Sequence, residues 1–214
     1  MSKKQTIKDT AKYYKDHKYV VIKNFISKEQ AEFIYNYGII RAQRAATMAN
    51  SKWPGYREDI DGTFKDKQVS GVYSCYSDLA METLLMKVKP KMEQVLEMEL
   101  IPSYSYTRLY EKGSELKKHT DRIACEISTT LNLGGDPWPI YFKLENEVRV
   151  DLKPGDMVLY LGEKIPHWRN KFEGDICGQV FLHYNTKQRN NIVADGRPFV
   201  GLPQPYRNGK FVKK

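Results

Sequence analysis

From Ile101 onward the chain breaks into short β-prone runs, at 103–110, 126–133, 139–144, 147–152, 156–161 and 177–184, separated by turns rich in Gly, Pro and Asp. Runs of this length at this spacing predict a sandwich or barrel. The first hundred residues have another character. Tyr19-Val20-Val21-Ile22 reads as a strand, and Ser27 with Gln30 three residues later has the form of a capping box. Ala31, Phe33, Ile34, Tyr37 and Ile40 then mark a helical stripe. A second helix is expected from Asp78, with Met81, Leu84, Leu85, Val88, Met92, Val95 and Leu96 on its apolar face and a kink or division at Pro90. Between the helices, residues 45–77 show no sustained period and are expected to form a lid or binding loop. The predicted fold class is mainly β with N-terminal helices (α+β). A jelly roll over about 101–185 would be supported by helices in about 1–100 and followed by a basic tail from about 186 to 214.

A length of 214 residues with 41% hydrophobic content suits one folded domain. No run of eighteen apolar residues occurs, and the opening MSKKQTIKDTAKYYKDHK is charged where a signal peptide would be apolar. A soluble, cytoplasmic protein with no membrane partner is the expectation. Cys75, Cys125 and Cys177 lie far apart without C-x-x-C spacing, which argues for reduced core thiols over a disulfide framework or zinc ribbon.

The net charge of +9 sits at the ends: residues 1–23 carry +5 and residues 186–214 carry +6, leaving the middle slightly acidic. Solvated basic tails are the plain reading, and recruitment of an acidic partner or nucleic acid is the alternative.

His119-Thr120-Asp121 places an imidazole and a carboxylate at i and i+2, on one face of an extended segment. His167 follows 45 intervening residues later, just past the strand candidate 156–161, so a returning strand would bring it alongside. Two His and one carboxylate on one face of an octahedron leave three positions open, the arrangement of oxygen-activating Fe(II) sites.

Around these ligands the chain reads SYTRLYEKGSELKKHTDR, CEISTTLNLGGD, PWPIYF, VDLKPGDMVLYLG, HWR and GQVFLHY. In these motifs and their order, from about Tyr104 to Tyr184, the sequence resembles the prolyl 4-hydroxylase-like branch of the 2-oxoglutarate/Fe(II) oxygenases, including small forms from bacteria and phages. Residues 15–45 resemble the family's helical entry. The resemblance implies a double-stranded β-helix in which Fe(II) is held by His119, Asp121 and His167. The cosubstrates would be 2-oxoglutarate and O2, with ascorbate as an accessory reductant. The implied reaction is hydroxylation of a peptidyl substrate, prolyl residues included, or of a small molecule, with release of succinate and CO2.

The same resemblance assigns Tyr110, nine residues before His119, to a hydrogen bond with the cosubstrate, and aligns Thr129 with a cosubstrate-binding threonine. A one-residue register change would select Ser128 and Thr130 instead. The family's Lys or Arg for the distal carboxylate stands about ten residues after the second His; here that residue is Cys177, with Gln179 nearby. Arg122 and Arg169 are the substitute cations, since guanidinium matches a carboxylate bidentately, and Arg122 is placed first. Trp138 and Trp168 are candidates for pocket walls or core. His183, in phase with Gln179 and Phe181, is read as a packing or hydrogen-bonding residue, and His17 as solvated. Two other functions remain open: a basic nucleic-acid-binding protein on a structural jelly roll, and a cupin-like metalloenzyme without 2-oxoglutarate.

Overall fold

The computed structural model describes residues 7–189 and 193–209. The chain runs α1 (Ile7–His17), β1 (Tyr19–Ile22), α2 (Lys28–Asn50), α3 (Glu58–Asp61), β2 (Tyr73–Tyr76), α4 (Leu79–Leu96) and β3 (Leu100–Glu111). Then come β4 (Leu116–His119), β5 (Ile127–Gly135), β6 (Ile140–Lys143), β7 (Glu147–Val150), β8 (Met157–Leu161), β9 (His167–Arg169) and β10 (Ile176–Thr186). Two 3-10 turns, Val193–Gly196 and Gln204–Gly209, close the described part.

Ten strands form two antiparallel sheets. The major sheet has the order β1-β8-β5-β10-β3-β2 and the minor sheet β4-β9-β6-β7. Side chains alternate between the two faces of each major-sheet strand. Ile127, Leu131, Leu133, Met157, Leu159, Val180, Leu182 and Tyr184 point one way, into a core shared with α2 and α4. Val158 and Tyr160 point the other way and meet Ile140, Phe142 and Val150 of the minor sheet. Tyr110, Cys177 and Phe181 likewise face the inter-sheet space, with Leu116, Trp138 and Phe172. This is the jelly-roll arrangement of the double-stranded β-helix.

The Ser27 hydroxyl accepts from the Gln30 amide at 3.0 Å, capping α2 as its sequence predicts. Asp78 caps α4 through the Ala80 and Met81 amides. The predicted division at Pro90 does not occur, because α4 continues through it. Pro90 and Met86, whose carbonyl loses its partner, both lie on the exposed side, where water can satisfy that oxygen. The segment 45–77 is more ordered than expected: α2 extends to Asn50, and Tyr73–Tyr76 is an edge strand paired with β3. The residues between them wrap over one end of the barrel. All three cysteines are buried free thiols.

The expected basic tails extend over residues 1–6, 190–192 and 210–214, which lie outside the described residues. Where described, the C-terminal segment is docked rather than solvated. Arg197 is buried and pairs with Glu82 of α4 at 3.0 Å, while donating to the carbonyls of Ser103 and Ala194 at 2.9 and 2.7 Å. Glu82 also accepts from the Ser105 amide at 2.6 Å and the Gly201 amide at 2.9 Å. Truncating one partner of such a pair strands a buried charge. Arg197→Ala is therefore expected to cost about 3–5 kcal/mol in urea unfolding, whereas Lys187→Ala, on an exposed pair with Glu99, leaves the midpoint nearly unchanged.

Candidate metal centre

His119 ends β4 and His167 opens β9, and the two residues are cross-strand partners. Leu116 pairs with Arg169, two residues beyond His167, so three steps along β4 match two along β9. That β-bulge turns both Leu116 and His119 toward the inter-sheet space, which regular alternation would not do. The imidazole centroids lie 4.3 Å apart. Asp121 sits in the loop after β4, its amide donating to the Gly162 carbonyl at 2.9 Å. Its Oδ1 is 3.6 Å from Nε2 of each histidine, and the three donor atoms fall within 4.8 Å of one another.

Both imidazoles are oriented from behind. Nδ1 of His119 faces the Lys117 carbonyl at 2.8 Å, and Nδ1 of His167 faces the Ile165 carbonyl at 2.9 Å. A carbonyl only accepts, so each Nδ1 carries the proton and each Nε2 presents a lone pair toward Asp121. Three convergent electron-pair donors with outward-braced rings are arranged so that they could hold a cation.

The carboxylate's other oxygen is also held. Ser128 donates to Asp121 Oδ2 at 2.6 Å and lies 3.1 Å from His183 Nδ1. Burial pushes His183 down to about 4, so this imidazole is neutral near pH 7. Its role is hydrogen bonding, as its phase in β10 suggests. Gly162 leaves the necessary room: a Cβ there would stand 2.1 Å from Ser128 Oγ and 2.5 Å from Asp121 Oδ2.

A cavity of about 650 Å³ opens over the three donors. One wall is aromatic, with Tyr76, Tyr104, Tyr106 and Phe181, and the other is Thr63–Gln68 of the segment that crosses the barrel mouth. Asp66 anchors that segment by accepting from Arg108 at 2.8 Å and from the Tyr106 hydroxyl. Val69 and Val72 pack into the inter-sheet core.

The remaining predicted residues separate clearly. Thr129 points away from the donors: its hydroxyl accepts from the Leu182 amide at 3.0 Å, and its neighbours in alternation face the helices. Its assignment is corrected to the other register, in which Ser128 and Thr130 face the inter-sheet space. Arg122 is held bidentately by Asp195, at 2.5 and 2.7 Å, with its guanidinium over the Tyr104 ring. Its charge is already answered.

Arg169 differs. Strand alternation puts it on the face of His167 and turns Trp168 outward, where it stacks on Tyr141 under Lys118; Trp168 is therefore not a pocket wall. The Arg169 guanidinium is fully buried beside Trp138 and donates to the Trp138 carbonyl. Its Nε and Nη2 have no hydrogen-bond partner, and no carboxylate pairs with it among the described residues. Tyr110, Cys177 and Tyr160 are close enough to perturb it electrostatically. Gln179 is buried on the same inner face, with its Nε2 donating to Cys177 Sγ and its Oε1 unpartnered. Sequence reasoning missed Asp195, Arg197, Arg108 and Gly162, whose partners are remote in the chain.

No family profile matches the chain, and no curated protein does. Solved structures do. A 2OG-Fe(II) oxygenase-family oxidoreductase from Burkholderia pseudomallei aligns with a TM-score of 0.64 at 11% identity, covering 91% of this chain and 96% of its own. The chain has the 2OG-Fe(II) oxygenase fold. A prolyl-4-hydroxylase from Pseudomonas putida aligns at 0.59 and 13% identity, covering 84% and 98%. HygX from Streptomyces hygroscopicus, solved with nickel and 2-oxoglutarate bound, aligns at 0.57 and 12%, covering 86% and 87%. On this oxygenase fold, His119, Asp121 and His167 stand at one end of the inter-sheet space, with the cavity above them.

Two outcomes follow from the geometry. Gly162→Ala should displace Asp121 and Ser128, cost about 1–3 kcal/mol of stability, and weaken Co(II) binding by about tenfold or more in a metal titration. For His183, the folded state resists protonation between its ordinary 6.5 and about 4, so the unfolded chain binds the extra proton there. Stability is full above pH 6.5 and should fall by about 3 kcal/mol on acidification through that window; in His183→Phe, metal-free unfolding should show a flatter slope over the same range.

Proposed function

We propose that the protein is an Fe(II)- and 2-oxoglutarate-dependent oxygenase that hydroxylates a C–H bond of a peptidyl or small-molecule substrate. The observation that carries this reading is the pairing of a two-histidine, one-carboxylate donor set with a buried, unpaired arginine two residues further along the same strand. A buried cation without a counter-ion is costly, and its free N–H groups suit a carboxylate brought in by a ligand.

The residues fit the cofactors. His119, Asp121 and His167 would hold the metal through Nε2, Oδ1 and Nε2, the ligand types that Fe(II) oxygenases use. Arg169 would take the distal carboxylate of 2-oxoglutarate, with Tyr110 and Gln179 as neutral partners, and Arg122 is left to its structural pair with Asp195. When bound, Fe(II) with 2-oxoglutarate and O2 supplies one oxygen atom for the substrate C–H bond and one for succinate, with loss of CO2.

The chain's own contribution is placement and exclusion. The sheets enclose the cosubstrate end in apolar surroundings from Leu116, Trp138 and Phe172, which strengthens the arginine–carboxylate attraction. Tyr76, Tyr104, Tyr106 and Phe181 give the substrate cavity an aromatic lining, with the Tyr76 and Tyr106 hydroxyls engaged by Asp195 and Asp66. The Thr63–Gln68 wall narrows the opening and limits water at the reacting carbon. A peptidyl prolyl residue is one substrate of this kind; the resemblance in sequence and the prolyl-4-hydroxylase among the similar structures favour it.

Anaerobic titration of the Fe(II) protein with 2-oxoglutarate should produce a visible metal-to-ligand charge-transfer band, absent in His119→Ala. Arg169→Met should keep the metal and raise the 2-oxoglutarate Kd by about ten- to a hundredfold, the value of a charged hydrogen bond, while Arg122→Ala changes it little. Bound iron without a band in the wild type would overturn the proposal.

A further inference from the structure

A carboxylate can bind a cation through one oxygen or both, and the choice decides how many positions the cation has left. The structure settles that choice for Asp121 before any cation arrives. Its Oδ1 faces both imidazoles at 3.6 Å, while its Oδ2 accepts a 2.6 Å hydrogen bond from Ser128. We infer that Ser128 and His183 form a positioning pair that keeps Asp121 a one-oxygen ligand, so that the position needed by the cosubstrate stays open. The inference rests on the proposed function and concerns the coordination number of that site.

The hydrogen-bond network allows one consistent assignment. Ser128 has a single proton and three atoms in reach that could accept it, the charged Asp121 Oδ2 at 2.6 Å, His183 Nδ1 at 3.1 Å and the neutral Cys125 carbonyl at 3.2 Å. The short, charge-assisted bond takes it. Ser128 Oγ must then accept from His183, which fixes the imidazole with its proton on Nδ1, 3.1 Å away. His183 in turn is held by packing: it is buried, and its ring lies 4.6 Å from that of Tyr104, which is itself stacked on Tyr76 at 5.0 Å. The sequence is therefore His183 Nδ1–H to Ser128 Oγ, and Ser128 O–H to Asp121 Oδ2. Gly162 closes the arrangement, since any larger residue would occupy the space of both Oγ and Oδ2.

Each member comes from a different element. Ser128 is on β5, His183 on β10, Gly162 follows β8, and Asp121 follows β4. β10 and β8 flank β5 in the major sheet, so the sheet's own hydrogen bonding sets the distance between Ser128 and His183. The brace thus ties the loop carrying Asp121 to the middle of the sheet, independently of the two histidines.

Co(II) reports the difference, because its visible d–d bands weaken as coordination number rises. Ser128→Ala frees Oδ2 to chelate. The expected result is Co(II) affinity equal to or above wild type, weaker d–d bands before cosubstrate is added, and a 2-oxoglutarate Kd raised about tenfold. A variant with wild-type bands and wild-type 2-oxoglutarate affinity overturns the inference while leaving the proposed function standing. Parallel loss of Co(II) affinity and thermal stability overturns it too, by showing a merely structural serine. Should Ser128→Ala fail to fold, Ser128→Cys carries the same test, because a thiol is a far weaker hydrogen-bond donor to Oδ2, and the same spectral change is expected. Wild-type protein that binds neither Co(II) nor 2-oxoglutarate removes the proposed function itself.

Discussion

Side chains on a strand alternate between faces, and in β3, β5, β8 and β10 that alternation divides two chemistries. In β5, β8 and β10 one set of positions is largely apolar and binds the sheet to α2 and α4, while β3 presents Ser103, Ser105 and Thr107 on that side. The other set carries Tyr104, Tyr106, Arg108, Tyr110, Ser128, Tyr160, Gln179 and His183, polar groups that can be buried only because they face one another, a cavity or a ligand. A slip of one residue in any of these strands would put hydroxyls and imidazoles under the helices and leucines in the cavity. The register is therefore the condition on which the donor cluster, its braces and the lined cavity all depend.

Much of this architecture was legible in the sequence because the apolar positions of the major sheet recur at period two and the helices at their own period. The six predicted strands of the β region fall where expected, within a few residues. Two escaped notice: β9 has only three residues, and β4, Leu-Lys-Lys-His, is too polar to read as a strand, although they carry both metal-type histidines. α1 was hidden by its lysines. The donor trio itself was readable, since histidine is rare here and H-x-D followed by a distal His is a specific order.

The rest depended on contacts that local sequence does not encode. Thr129 and Ser128 are neighbours of the same chemical type, and only strand register decides which one faces the donors. Sequence alone places Arg122 ahead of Arg169, each being one or two residues from a ligand. Their partners distinguish them: Asp195, 73 residues from Arg122, satisfies one, and among the described residues no acidic side chain pairs with the other. The docking of the C-terminal segment through Arg197 and Asp195 was invisible for the same reason, because a net positive charge at a chain end does not reveal which cations will be buried.

The placement of Arg169 also fixes a length. His167 and Arg169 belong to one three-residue strand, so their separation along the backbone is two strand steps, about 6.6 Å, whatever happens to the neighbouring strands. An anchor on another strand would shift relative to the metal ligand with every adjustment of the sheet. In the proposed role, donor and anchor would move as a single piece, and the strand would act as a ruler for the span between the chelating end of an acid and its far carboxylate. Acids one methylene shorter or longer than that span would meet the wrong end of a rigid scale.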